Sequence, residues 1–244
     1  MKNYKLKIEY NGTNFSGWQI QPNVPTVQAE ITKALKQITG NEINLIGSGR
    51  TDSGVHALGQ VVNFQIEDEL NIRKVKHSLN LLLLKDIAIS EFIEVDENFH
   101  SRFDATLRSY LYHFTNNKSP FYNEYSYHYS PIFNLEIERL NEISSNILGE
   151  HDFTSFSKKN TDTENMICNI SLAKWRRVKN HIIFRIDGNR FLHGMVRTIV
   201  GTVLEIAEKN KSIDEINKIV AAKNRDVAGR SVPAKGLFLL DVKY

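Results

Sequence analysis

A single cysteine, Cys168, stands in the 244 residues. No internal disulfide and no cysteine-rich zinc site can be built from it. Long apolar runs are also missing. The longest, around Leu79–Leu84, falls far short of the roughly 20 residues that span a bilayer, and "MKNYKLKIEY" lacks the unbroken apolar core of a signal peptide. The eight histidines contain no H-x-x-x-H helix pair, so no metal is implied. A cytoplasmic chain with no membrane or metal partner is the expectation.

What is present is ordinary in bulk: 41% hydrophobic and 24% charged residues, enough for one large core or two small ones. The net charge of +3 is unevenly spread. Between Lys158 and Arg197 there are nine Lys/Arg against three Asp/Glu, whereas Phe64 to Phe99 holds eight acids against four bases. A basic segment of this kind, beginning with Lys158 and Lys159, is either a polyanion footprint or a set of solvated strand faces.

Periodicity yields an element order that occurs twice. "YKLKIEY" alternates as a half-buried strand. In "TVQAEITKALKQITG", Val27, Ile31, Ala34, Leu35 and Ile38 mark one helical face between an N-cap Thr26 and a stop at Gly40. "INLIGSG", "QVVNFQIE", a helical "IRKVKHSLNLLLL" and "IAISEFIEV" complete β-α-β-β-α-β. The second half runs "RSYLYHFT", a helix over Leu135–Leu148 closed by Gly149, a long polar loop, "LAKWRRVK" and "HIIFRIDG". Helices over Met195–Glu208 and Ser212–Ala222 and a final "GLFLLDVKY" follow, with Ser212 and Glu215 spaced as a capping box. The fold expected is α+β: two ferredoxin-like, RRM-like halves, 1–104 and 105–244, whose antiparallel sheets carry helices on one face. Their other faces are then free to line a shared cleft.

"GSGRTDSG", residues 47 to 54, is the conspicuous motif. As a dinucleotide loop it fails, because Asp52 occupies the third glycine position and no Walker-type lysine follows. An aspartic protease needs a second such triplet, which is absent. A turn-stabilising Asp explains an isolated Asp-x-Gly. Here Arg50 and Asp52 sit two apart, project the same way if the stretch is extended, and pair a guanidinium with a carboxylate whose ionised form is a nucleophile or base.

"GSGRTDSGVHA" resembles the signature of the tRNA pseudouridine synthase A family. The likeness extends through "YNGTNFSGWQIQP", "FHSRFDATLRSYLYHF", "GEHDFTSFSK", "NRFLHGMVRTIVG" and "KGLFLLDVKY", nearly the whole chain in order. Ser53 departs from it at a position where alanine is frequent. The resemblance implies the pseudouridine synthase fold and isomerisation of uridine to pseudouridine at positions 38, 39 and 40 of the tRNA anticodon stem-loop. It also implies a homodimer, with each tRNA touching both subunits. Such a reaction gains no electrons or groups, so no cofactor is required.

Carried over by residue, Asp52 is implied as the catalytic nucleophile or base. Arg50 then holds it ionised and orders the extruded base. Tyr110 is implied to stack on the target uracil and move a proton, Arg197 to pair with the aspartate, and Leu239 to form pocket wall. Extruding a base calls for a replacement stacking surface, which suits Tyr110; without the resemblance it reads as a core aromatic. Arg197 is expected one turn beyond His193 on one helix, whose N-terminus favours anions. His56, Trp18 and Trp175 read as packing residues, and "FYNEYSYHYS" (Phe121–Ser130) as either an RNA-stacking surface or a packing segment. Asp52 could attack C1′, add to C6, or act as a base at C2′. Two other classes fit less well: a non-catalytic RNA-binding protein, whose aromatic Gly-Phe motif is missing, and a metal-independent hydrolase, for which no second carboxylate stands out.

Overall fold

The computed structural model describes residues 1–159 and 163–244. They form two compact units, one from residues 1–106 with 238–244 and the other from residues 107–237.

In the first unit, β1 (Lys2–Tyr10) lies between β3 (His56–Ile66) and β4 (Ile87–Val95), antiparallel to both, with the short β2 (Ile46–Gly47) on β3. Alternation buries Tyr4, Leu6 and Ile8 of β1, and Tyr4, Phe64 and Phe92 form an aromatic cluster with centroids 5.4 to 6.2 Å apart. Helices α1 (Val27–Thr39) and α2 (Ile72–Leu82) pack together, and α2 packs on β4. Val27, Ile31, Ala34 and Leu35 are the buried stripe of α1, as its spacing of three and four requires. Thr26 takes the N-cap backbone position without a side-chain cap bond, and its Oγ1 is buried without a partner among the described residues. Gly40 ends the helix in the left-handed conformation.

β4 is an edge strand, and the register skips Ser90 between the Lys7–Glu91 and Ile8–Ile89 pairs, a bulge. Helix α2 covers this edge. The Asn80 amide donates to Ile89 O at 3.0 Å and accepts from Ile89 N at 2.8 Å, and Lys76 Nζ donates to Ser90 O. One side chain thus stands in for a neighbouring strand.

The second unit orders its antiparallel strands β5 (Leu107–Thr115), β9 (His181–Gly188), β8 (Ile167–Val178) and β7 (Gly149–Asp152), with β6 (Tyr127–His128) parallel to β5. α3 (Ile137–Ser145) packs on β8, and α4 (Met195–Glu208) packs against α3 and α5 (Glu215–Ala222). Trp175 is fully buried against Phe184, with its Nε1–H donated to Ser144 Oγ at 2.8 Å. Beyond Ile170, where β7 ends its pairing, Asn141 of α3 brackets the Trp175 backbone as Asn80 brackets Ile89. α4 buries ten of its residues, the pattern of a helix covered on most sides.

Three expectations change. α5 begins at Glu215, and Ser212 Oγ accepts from Asp214 N, so a local turn replaces the capping box. α3 spans only Ile137–Ser145, with Asn146 as its C-cap and Gly149 (φ 89°) opening β7 instead. The last strand, β10 (Leu237–Lys243), runs parallel beside β3, with Phe238 opposite His56 and Leu239 opposite Ala57. The expected second half, 105–244, therefore surrenders residues 238–244 to the first unit.

Candidate active site

The segment Ser48–Val55 joins β2 to β3 and is a loop, not a strand. Its backbone is held along its length. Gln60, buried on β3, donates to Gly49 O at 2.8 Å and accepts from Ser48 Oγ at 2.7 Å. Trp18 N–H donates to Thr51 O at 3.1 Å, and Thr51 Oγ1 shares a 2.8 Å hydrogen bond with Tyr10 OH. Ser53 Oγ and Gly54 N both donate to Phe15 O, and Val55 N donates to Asp52 O across a tight turn. Most of these partners come from "YNGTNFSGW", the end of β1 and the loop after it.

Glycine makes that contact possible. A Cβ on Gly17, whose φ is +93°, would lie 2.5 Å from Thr51 O, and one on Gly12 only 2.0 Å from Val55 O. The two backbones meet where side chains are absent. Asp52 thus sits half-buried on a loop fixed from both sides, an arrangement that gives its carboxylate a set position at little entropic cost.

Arg50 is exposed and makes no hydrogen bond or ion pair among the described residues. Among the described residues the implied Arg50–Asp52 pair is therefore not formed, and of the two only Asp52 is half-buried. His56 is buried, accepts the Gly12 amide at Nδ1 (3.0 Å) and stacks on Phe238 at 4.7 Å, a packing role. Trp18 packs with Tyr10, centroids 6.3 Å apart. Leu239 is a core residue of the first unit, 1% exposed.

The remaining candidates lie on the second unit. Tyr110, on β5, is 8% exposed and meets Phe191 edge-on at 5.0 Å. Arg197 occupies the first turn of α4, half-buried, with its Nε donated to Val232 O at 2.7 Å while its own carbonyl accepts from Val232 N at 3.2 Å. That clamp depends on Gly201, one turn further along, where a Cβ would lie 1.7 Å from Arg230 O. A cation in the first turn adds to the positive end of the helix dipole, which opposes helix stability and favours an anion there. Beside it, Tyr112 donates to Pro233 O at 2.7 Å, and burial pushes its phenol pKa up against the opposing field of Arg197.

His193 does not share α4 with Arg197: it precedes the left-handed Gly194, is exposed, and its carbonyl accepts from Lys158 N at 2.9 Å. The backbones of Lys158 and His193 are thereby brought together. Lys159 is ion-paired with Asp226 at 2.7 Å. Among the described residues no helix is long and apolar enough to cross a membrane, and no group of three His, Cys, Asp or Glu could hold a metal ion.

A family model described as tRNA pseudouridine synthase matches residues 7–104 and 143–244. The tRNA pseudouridine synthase A of Bacteroides fragilis is 41% identical over 247 residues, spanning 100% of this chain and 97% of its own. Its counterpart in Borrelia turicatae is 40% identical over 244 residues, 100% of both chains. That of Brachyspira hyodysenteriae is 43% identical over 242 residues, 98% of this chain and 96% of its own. Among solved structures, a chain of a Cbf5-Nop10-Gar1 complex aligns with 82% of this chain and 53% of its own at 9% identity and a TM-score of 0.37, too loose a likeness to carry an argument.

Proposed function

The chain belongs to the tRNA pseudouridine synthase family, and from that premise we propose that it acts at positions 38, 39 and 40 of the tRNA anticodon stem-loop, with Asp52 as its catalytic group. The enzyme is an isomerase that converts uridine in tRNA to pseudouridine. The C1′–N1 bond breaks, the uracil turns, and a C1′–C5 bond forms, with no net change in composition.

The observation that carries the assignment of Asp52 is the fixed loop that bears it, clamped by Trp18, Tyr10, Phe15 and Gln60. Attack at C1′, addition at C6 and proton removal at C2′ all need an ionised carboxylate at a set position. The other roles rest on the family resemblance. Tyr110 stacks on the extruded uracil and handles a proton, Arg197 pairs with the catalytic carboxylate, and Leu239 is pocket wall. Arg50, exposed and unpaired among the described residues, is available to the nucleic acid and orders the flipped base. Lys158, Lys159 and His193 contact tRNA phosphates. The enzyme works as a cytoplasmic homodimer.

The test is Asp52→Asn, which keeps the side-chain size and removes the charge. Pseudouridine mapping on an unmodified tRNA transcript should show no conversion, while filter binding retains affinity supplied by phosphate and stacking contacts elsewhere. Near-wild-type conversion refutes the role of Asp52. A turn-forming Asp would tolerate Asn.

A further inference from the structure

Residues 116–130 leave the end of β5 as a loop of asparagine, serine and aromatic residues with a single acid, Glu124. Residues 229–236 carry Arg230 and Lys235 and no acid. Where the two segments meet, the second unit has a cavity of about 310 Å³. Two lysines, Lys118 and Lys235, line it from opposite segments, and no carboxylate does. Its wall is fixed: Pro233 O accepts from Tyr112 OH at 2.7 Å, and Ser126 Oγ donates to Tyr122 O at 2.8 Å. Lys235 Nζ donates to Asn123 Oδ1 at 3.4 Å, which directs the Asn123 amide nitrogen elsewhere. Ser119 Oγ accepts from Phe121 N at 3.3 Å, so its hydroxyl proton is left to give.

A concave set of ammonium and hydroxyl groups without an acid is complementary to an anion with several acceptor oxygens. The volume is at the small end of ligand pockets, roughly 300–1,000 Å³, and suits one phosphodiester with its sugar. The same loop exposes Phe121 (81%), Tyr122 (44%) and Tyr125 (38%), flat faces on which nucleobases stack without regard to sequence. A free phosphate ion has no use for such rings; an RNA chain has.

We propose that this cavity seats a backbone phosphate of tRNA, with a neighbouring base on the exposed rings, as a docking point outside the residues assigned to catalysis. The proposal rests on the tRNA-modifying function stated above.

The experiment compares wild-type protein, K118Q/K235Q and a control, K33Q/K36Q, which removes two lysines from the exposed face of α1. tRNA affinity is measured across a salt series, conversion is followed by steady-state kinetics, and thermal unfolding confirms that each variant is folded. For K118Q/K235Q we expect the slope of log affinity against log salt to flatten by about 1, affinity to fall about tenfold near ~0.1 M salt, and KM to rise with kcat unchanged. The control should match wild type. Wild-type slope and KM in K118Q/K235Q overturn the proposal, as does an equal loss in the control, which makes the effect one of general charge. Titration with inorganic phosphate and uridine monophosphate separates the sources: saturable micromolar binding lost in K118Q/K235Q, with tRNA affinity intact, makes this a small-anion site and overturns the RNA assignment. A wild-type protein that binds tRNA and converts uridine while K118Q/K235Q behaves identically refutes the docking site alone. One that does neither refutes the function, and the docking site with it.

Discussion

Replacing Gly17 by alanine tests whether the loop after β1 holds Asp52 in register. The added Cβ would lie 2.5 Å from Thr51 O, 3.2 Å from Asp52 C and 3.3 Å from Ser53 N, where ordinary contact begins at 3.4 Å. These neighbours are backbone atoms and cannot rotate away. Relief therefore requires the two loops to part by about 1 Å, a misplacement that can cost on the order of 10²-fold in rate. The φ of +93° adds strain of about 1–3 kcal/mol for a residue with a Cβ, which lowers Tm by a few degrees, at about 2–4 °C per kcal/mol for a chain of this size. Pseudouridine formation at saturating tRNA should fall about 10²-fold, while filter binding changes little, since most affinity comes from phosphate contacts. Gly49→Ala is the matched control: nothing lies within 4 Å of its Cβ position and its φ is not left-handed, so rate and Tm should stay at wild type. Gly12→Ala, with a 2.0 Å approach to Val55 O, should be the most severe of the three. A folded Gly17→Ala enzyme with wild-type kcat would refute the claim that this contact positions Asp52.

Three further outcomes are expected. Replacing Lys158 and Lys159 together by Ala should flatten the salt dependence of tRNA binding by about 2, one for each phosphate contact, since the exposed Lys159–Asp226 pair is weak enough to exchange for a phosphate; an unchanged slope in filter binding removes these lysines from the RNA contact. His113 has its pKa lowered below 6.5 by burial and by His181, against the opposing hydrogen bond to Tyr125 O. A depressed folded pKa means stability is full above about 6.5 and is lost as pH falls toward the folded value, because the unfolded chain takes up the proton first; urea midpoints at several pH values should show this slope in wild type and less of it in His113→Gln, and equal slopes refute it. Asn80→Ala strips the bracket from Ile89 and leaves the β4 edge open, so light scattering should show association beyond the wild-type state and urea unfolding a loss of about 1–3 kcal/mol; wild-type behaviour in both measurements contradicts the edge-covering role.

Local patterns carried far along this chain. The span of β9 follows from "HIIFRIDG" and that of α4 from the apolar run Met195–Glu208, because side-chain direction repeats every two residues in a strand and every 3.6 in a helix. The family was legible for a similar reason: the motif around Asp52 is contiguous, and relatives in that family match along the whole chain. Boundaries set by competing turns were less so. Ser212 caps a turn rather than α5, since its hydroxyl finds the Asp214 amide before a helix begins. What holds the site escaped the sequence altogether. Thr51 meets Tyr10 across 41 residues, Arg197 meets Val232 across 35, and β10 returns from the end of the chain to lie beside β3. Gly17 and Gly201 look like ordinary turn and helix glycines until another backbone is placed against them. Residue order along a chain sets which conformations each segment prefers. Which distant segments press together, and so which carboxylate is held and which guanidinium is clamped, is decided only when the cores of the two units are packed.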